Sequence, residues 1–423
     1  MGLYCRGPQY LNNRRLSFVF LLFLLSQYKI KKDIKIKMKI LMVRSTNAIG
    51  GAEICNLNLI KGFKKYYSET KLFFITTLSE FGKRIEAAGA KVIVLPVFSE
   101  EVGTKRGLLR LFWSLPKYLY FYLKTILKLK RKEKINLICL QSATEKITLT
   151  PFLKLFGFKV VWIEHGPFFS FPTAKEVFFL YRVSSYLPTK IIAVSKNTKL
   201  DSIKGGFPVK RITCVVSGID SDYFSPLTEL QRDRMKSRLF LRKKDGVIGY
   251  MGSICREKGI EKLLEVGKLV IGKMKNIKFL IVGDGPMLNY AKKFIKDSKL
   301  EKKFLFTGFQ RGPKCFLGIF DVIFYPTVMG SISMTLMEAM AIGIPVVTRD
   351  IGGNRELVVH GKTGYLFKDE TPEELADLII KLLKDSQKRK RMGVEARKRI
   401  VKYFNLKKWV TEMHQTFKEV TNE

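Results

Sequence analysis

The chain has 423 residues, enough for two domains of ordinary size, and 46% of them are hydrophobic, which excludes a disordered chain. Lysine and arginine number 77 against 37 acidic residues, a formal net charge of +40. So one-sided a charge repels itself and must meet anions: nucleic acid, an anionic membrane surface or phosphorylated ligands. No two of the six cysteines, Cys5, Cys55, Cys139, Cys214, Cys255 and Cys315, lie within four residues of each other, so a zinc pattern is excluded. They read as small thiols in a reducing compartment.

In chain order, residues 1–37 differ from the rest. "RRLSFVFLLFLLSQYKIKK" has a basic start and an apolar run too short for a comfortable span, with no small-residue cleavage site after it. A weak anchor, an export signal and a true start at Met38 are all open, and the last is the expectation, because "MKILMV" opens like a core strand. From there apolar runs alternate with helix-like segments. Strands are expected at 39–43, 72–76, 91–95, 136–140, 160–164, 191–195 and 212–216, then at 247–252, 279–283, 304–308, 322–326 and 345–348. Runs apolar on both faces with helices between them predict parallel sheets covered on both sides, and two series predict two doubly wound Rossmann-like domains. The polar stretch 224–246 marks the boundary: an N-terminal domain over 38–225, a C-terminal domain over 226–404, and a last helix over 405–423 returning to the N-terminal domain.

Ligands of such sheets bind beyond the carboxyl ends of the strands. After the first strand, Gly50 and Gly51 open a helix whose N–H groups can approach an anion. "HGKTG" (360–364) is not a phosphate loop, because Glu356 stands where its first glycine belongs. His165 follows the 160–164 strand, where a structural and a functional role are both open. After 247–252, Gly252 permits a tight turn, and Arg256 and Lys258 stand at the start of an amphipathic helix. Cations are unfavourable there unless a diphosphate lies at that end; solvated charge is the alternative. Gly283 begins another glycine-rich turn. Gly330, Ser331, Ile332 and Ser333 form a loop whose N–H groups can face a ligand, before a helix that Gly343 stops. Glu338 sits two turns into that apolar helix, and a buried carboxylate needs partners, which sugar hydroxyls or a basic side chain would supply.

"GGAE" (50–53), "EHG" (164–166), "AVSKNT" (193–198), "GSICREKGIEKLL" (252–264), "VGDGP" (282–286), "LMEAMAIGIPVV" (336–347) and "GGNREL" (352–357) occur in an order that resembles the family 4-type retaining glycosyltransferases of GT-B fold. The resemblance implies two Rossmann-like domains facing across a cleft and transfer of a sugar from a nucleotide diphosphate sugar with retention. It gives Glu338 the donor's ribose hydroxyls, Lys258 the donor diphosphate, Gly50 and Gly51 the loop that the diphosphate approaches, and His165 a place near the transferred sugar. It implies no cofactor and no catalytic metal; "DSD" (220–222) falls in an inter-domain stretch rather than in a metal motif.

The chain departs from the pattern at three positions. Gly330 replaces the first glutamate of the pair, Ser253 an arginine that Arg256 could replace, and Ser217 an asparagine. A degenerate nucleotide-binding or regulatory subunit is therefore the second reading. A basic nucleic-acid-binding protein is the third, although no recognition module is present. The acceptor is expected to be a glycan or lipid-linked molecule. In "LLRLFWSLPKYLYFYLKTILKLKRKEK" (108–134), Lys117, Lys124, Lys128 and Arg131 share one helical face, while Leu119, Tyr120, Leu123 and Leu127 share another. Such a helix suits the cytoplasmic face of an anionic membrane, or else a sheet cover with a solvated basic side.

Overall fold

The computed structural model describes residues 38–97, 105–166 and 175–422; the leader 1–37 lies outside the described residues. Strands β1 (Lys39–Val43), β2 (Lys71–Thr76), β3 (Lys91–Val94), β4 (Leu137–Leu140), β5 (Val160–Glu164), β6 (Lys190–Ala193) and β7 (Ile212–Cys214) form one parallel sheet. Its order is β3-β2-β1-β4-β5-β6-β7. A second parallel sheet follows, of β8 (Gly246–Met251), β9 (Ile277–Val282), β10 (Phe304–Phe306), β11 (Val322–Tyr325), β12 (Val346–Arg349) and β13 (Gly364–Phe367), in the order β10-β9-β8-β11-β12-β13. In each sheet the chain starts in the middle, winds to one edge and returns to wind to the other. The strand order therefore reverses between β1 and β4, and again between β8 and β11.

The central strands are apolar on both faces because helices cover both. Ile40, Leu41, Met42 and Val43 of β1 are buried without exception, as are Phe279, Leu280 and Ile281 of β9. Strand β13 was not foreseen: "GYLF" is short, half-buried in its middle, and paired with β12 at the sheet edge.

The last helix, Leu406–Asn422, lies on the Gly51–Tyr66 helix of the first sheet. Phe417 stacks on Phe63 with ring centres 6.0 Å apart, and His414 on Tyr67 at 3.9 Å. The chain thus crosses to the second sheet and comes back.

The helix Lys105–Glu133 covers the first sheet, with Lys117, Lys124, Lys128 and Arg131 exposed. Its apolar face differs from the expected one by about one residue. Tyr118, Tyr122 and Ile126 are buried, Leu119, Leu123 and Leu127 are half-buried beside them, and Tyr120 is exposed. The tyrosine hydroxyl makes this register possible, since Tyr122 Oη lies 2.7 Å from Ser45 Oγ in the interior.

Gly249, in the middle of β8, faces the ring of Phe320: a Cβ there would lie 2.0 Å from Cδ2 of that ring. Gly249→Ala is expected to lower stability by about 1–3 kcal/mol through overpacking, read as a lower urea midpoint with unchanged slope. An unchanged midpoint would mean that the ring moves freely.

Candidate functional site

The carboxyl ends of both sheets open into one cleft with a volume of about 870 Å³. Of the residues singled out from the sequence, Gly50, Gly51, His165, Gly252, Lys258, Gly283, Gly330, Ser331, Ile332, Ser333 and Glu338 all line it.

On the N-terminal side, Gly50 caps the Gly51–Tyr66 helix. Its amide donates to Glu53 Oε2 at 2.9 Å, and Glu53 Oε1 accepts from Arg44 Nε at 2.5 Å. Burial pushes the Glu53 carboxyl up, but Arg44 and the amide outweigh it and hold the group ionised below its usual range. The glycine pair is thus fixed by a half-buried ion pair. His165 follows β5, its Nε2 2.6 Å from Gln141 Oε1, and Gln141 also exchanges hydrogen bonds with Asn56. Burial, with Arg44 and Lys146 nearby, lowers the imidazole pKa well below its usual value, so the ring is neutral at pH 7. With Gln141 Oε1 as acceptor, His165 donates through Nε2. Behind it, Lys146 Nζ donates to Glu164 Oε1 at 2.7 Å, and Tyr181 Oη donates to both oxygens of that carboxylate.

On the C-terminal side the backbone itself supplies polar groups. Gly283 after β9 has φ +147°, and a Cβ there would lie 1.9 Å from the carbonyl oxygen of Gly252, so only glycine lets the two loops meet. The helix Met334–Ile342 is capped by Ser333, whose Oγ accepts from the Leu336 amide at 3.3 Å. The amides of Met334 and Thr335 have no intrahelical acceptor and stand at the cleft wall. This is a site for an anion. Lys258 adds a cation: no carboxylate among the described residues lies within ion-pair distance of its Nζ, which sits 5.9 Å from the centre of the Tyr325 ring. Gly330, at φ +147°, leaves open space there, with Lys258 Nζ 3.9 Å from where a Cβ would be.

Glu338 is 6% exposed. Among the described residues its carboxyl has no hydrogen-bond or ion-pair partner, and burial alone pushes its pKa up to about 8. A buried, cleft-facing carboxyl left without a protein partner is poised for a ligand.

Arg256 is the exception among the expected residues. It does not line the cleft; it is exposed and pairs with Glu261 at 3.2 Å. Residues Arg256–Lys258 form a 3-10 turn before the Ile260–Lys273 helix, and near 120° per residue the side chains of Arg256 and Lys258 leave in different directions. Asp220 of "DSD" accepts from the amides of Asp222 and Tyr223, both at 3.1 Å, which closes a turn. Among the described residues no group of three or more His, Cys, Asp or Glu is placed to hold a metal.

Two contacts that the sequence did not signal join the walls. Ser331 Oγ donates to the carbonyl oxygen of His165 at 2.5 Å. The Glu356 carboxylate accepts from the amides of Lys196 and Asn197 at 3.0 and 2.7 Å, at the start of the Lys196–Lys204 helix.

Two doubly wound parallel sheets facing across a cleft, with a helix start and a lysine on one wall, define the GT-B class. Within that class the chain is related to the glycosyl transferases group 1, whose family model matches residues 231–399. It is similar to N-acetyl-alpha-D-glucosaminyl L-malate synthase of Bacillus anthracis, 26% identical over 218 residues, which are 51% of this chain and 56% of that protein. The match thus spans little more than half of that relative. A second relative is UDP-Gal:alpha-D-GlcNAc-diphosphoundecaprenol alpha-1,3-galactosyltransferase of Escherichia coli, 25% identical over 303 residues, 69% of this chain and 78% of that one. Among solved structures, Anabaena HepE in complex with UDP superposes with a TM-score of 0.76 at 20% identity, covering 90% of this chain and all of that one.

The Glu338 proton has a consequence for stability. The unfolded chain releases it near pH 4.5 and the folded chain near 8. Between those values the unfolded state binds fewer protons, so stability falls as pH rises, by at most about 1.4 kcal/mol per pH unit. Glu338→Gln is expected to remove that slope in urea unfolding of the ligand-free chain between pH 5 and 8. An identical slope in the variant would mean that the carboxyl is not buried unpaired.

Proposed function

We propose that the chain is a retaining glycosyltransferase that moves a sugar from a nucleotide diphosphate sugar to a glycan or lipid-linked acceptor. The observation that carries the reading is Glu338, a buried carboxyl facing the cleft with no protein partner, which suits the vicinal hydroxyls of a ribose. The diphosphate then lies against the amides of Met334 and Thr335, with the Lys258 ammonium beside it. As the bond from the sugar's C1 to the leaving phosphate loosens, charge grows on the diphosphate, where these donors already point. Neutral His165 offers the sugar a hydrogen bond without adding charge. The acceptor hydroxyl enters from the N-terminal wall on the face that the diphosphate leaves and passes its proton to the departing phosphate oxygen. Ser331 and Glu356 hold the two sides together, and a closed cleft keeps water from competing as acceptor.

A lipid-linked acceptor is supported by the Escherichia coli relative, a galactosyltransferase whose acceptor carries diphosphoundecaprenol. It is supported too by the exposed rings of Phe112 and Trp113 on the helix Lys105–Glu133, at 68% and 80%, above its lysine-bearing side. The domain limits 38–225, 226–404 and 405–423 belong to the same proposal, as does a peripheral place on the cytoplasmic face of an anionic membrane. No helix among the described residues is long and apolar enough to cross one. Phe112→Ser with Trp113→Ser is expected to abolish co-sedimentation with phosphatidylglycerol vesicles and leave the fold intact. Equal sedimentation of both proteins argues against docking through these rings, and sedimentation of neither argues against membrane docking.

Gly330 favours a second reading, a nucleotide-binding subunit without transfer, because that position offers the donor sugar no carboxylate. A thermal-shift screen against UDP, GDP, ADP, CMP and their sugar conjugates tests both. One base is expected to raise the melting temperature, and Glu338→Ala to weaken its binding about tenfold, the size of one hydrogen bond. Unchanged affinity would remove Glu338 from the ribose. Binding with neither hydrolysis nor transfer of the sugar would favour the subunit.

A further inference from the structure

The second sheet has another end. Where β8, β9 and β11 begin, opposite the cleft, lies a second cavity of about 400 Å³. Five cations line it, Arg232, Lys236, Lys243, Lys244 and Arg389, against two carboxylates. Both carboxylates are already engaged. Asp321 accepts from Arg232 Nη2 at 2.9 Å and from the Val247 amide at 2.8 Å; Asp245 accepts from Arg242 Nε at 3.0 Å and from the Arg242 amide at 3.0 Å.

Of the remaining cations, Lys236, Lys244 and Arg389 have no carboxylate within ion-pair distance among the described residues. Lys236 is only 4% exposed, and its ammonium is held by main-chain oxygens alone, donating to the carbonyl of Lys243 at 2.9 Å and of Asp245 at 2.7 Å. That leaves one of its three N–H donors. Arg389 likewise donates to the carbonyls of Leu382 and Leu383. Lys244 is exposed at the rim, and Lys243 has one partner, Asp233, at the surface. A desolvated ammonium with no carboxylate at ion-pair distance is costly, and burial outweighs the attraction of Asp321, Asp245 and Asp233 and holds the Lys236 pKa below its usual value. Concave walls concentrate the field of the other cations on the same point.

We infer that this cavity is a binding site for a small phosphorylated anion, separate from the cleft and formed by Lys236, Lys243, Lys244 and Arg389. A phosphoryl group supplies both what the cavity lacks, negative charge and several acceptor oxygens. The inference does not depend on the transferase reading, because no residue of the cavity lines the cleft.

Isothermal titration of the full chain with inorganic pyrophosphate at fixed ionic strength tests it. Two saturable classes of site are expected. Lys258→Ala should remove the class in the cleft. Lys243→Ala with Lys244→Ala should weaken the other about tenfold or more, and Arg389→Gln should do the same. These three positions avoid the buried lysine, so the variants are expected to fold, as circular dichroism can check. A single class removed by Lys258→Ala overturns the inference. So does a second class indifferent to all three cavity substitutions, and so does heat that never saturates, which marks diffuse charge alone.

Discussion

A parallel strand covered on both faces has nowhere to put chemistry except at its ends. Every other polar group of the backbone is consumed in the ladder, and every side chain in the interior must be apolar or paired. This constraint explains where the cleft is and what it is made of. At the carboxyl ends of β8, β9 and β11 the chain turns directly into helices or glycine loops, and those turns are where N–H groups first emerge without partners. The meeting of Gly283 with Gly252 brings two such turns to van der Waals contact. The C-terminal wall is therefore built mainly from backbone, with Lys258, Asp284 and Arg311 among its charged side chains.

The N-terminal wall follows a different rule. Its polar side chains sit in a relay in which each fixes the next: Arg44 holds Glu53, Glu53 holds Gly50, Asn56 and Gln141 hold His165. Each link is buried or half-buried and would be costly if broken, so the relay gives the wall one arrangement. The wall carrying most of the amides suits an anion.

Most of the fold was legible because the strands are apolar runs of ordinary length between helical segments. Strand β13 escaped because an edge strand pairs on one side and needs little hydrophobicity to persist. The face of the Lys105–Glu133 helix was misplaced because hydrophobicity ranks leucine above tyrosine, whereas Tyr122 is buried by virtue of a hydroxyl partner 77 residues away. Arg256 was misplaced for a local reason, a short turn of 3-10 geometry that spacing alone does not disclose. Lys258 and Glu338, by contrast, are fixed by the strand-then-helix order itself. The relay behind His165 was invisible because its members are far apart in sequence, with Asn56 and Gln141 separated by 85 residues.

The carboxylate of Glu356 occupies the start of a helix that belongs to the opposite domain. That helix has Ser195 as its own cap, but two of its first amides are served from across the molecule. Swinging the domains apart therefore leaves a helix end bare, at a cost of about 0.5–2 kcal/mol unless water takes over. The contact thus favours the arrangement of the two sheets seen here, and it does so from outside the lining of the cleft.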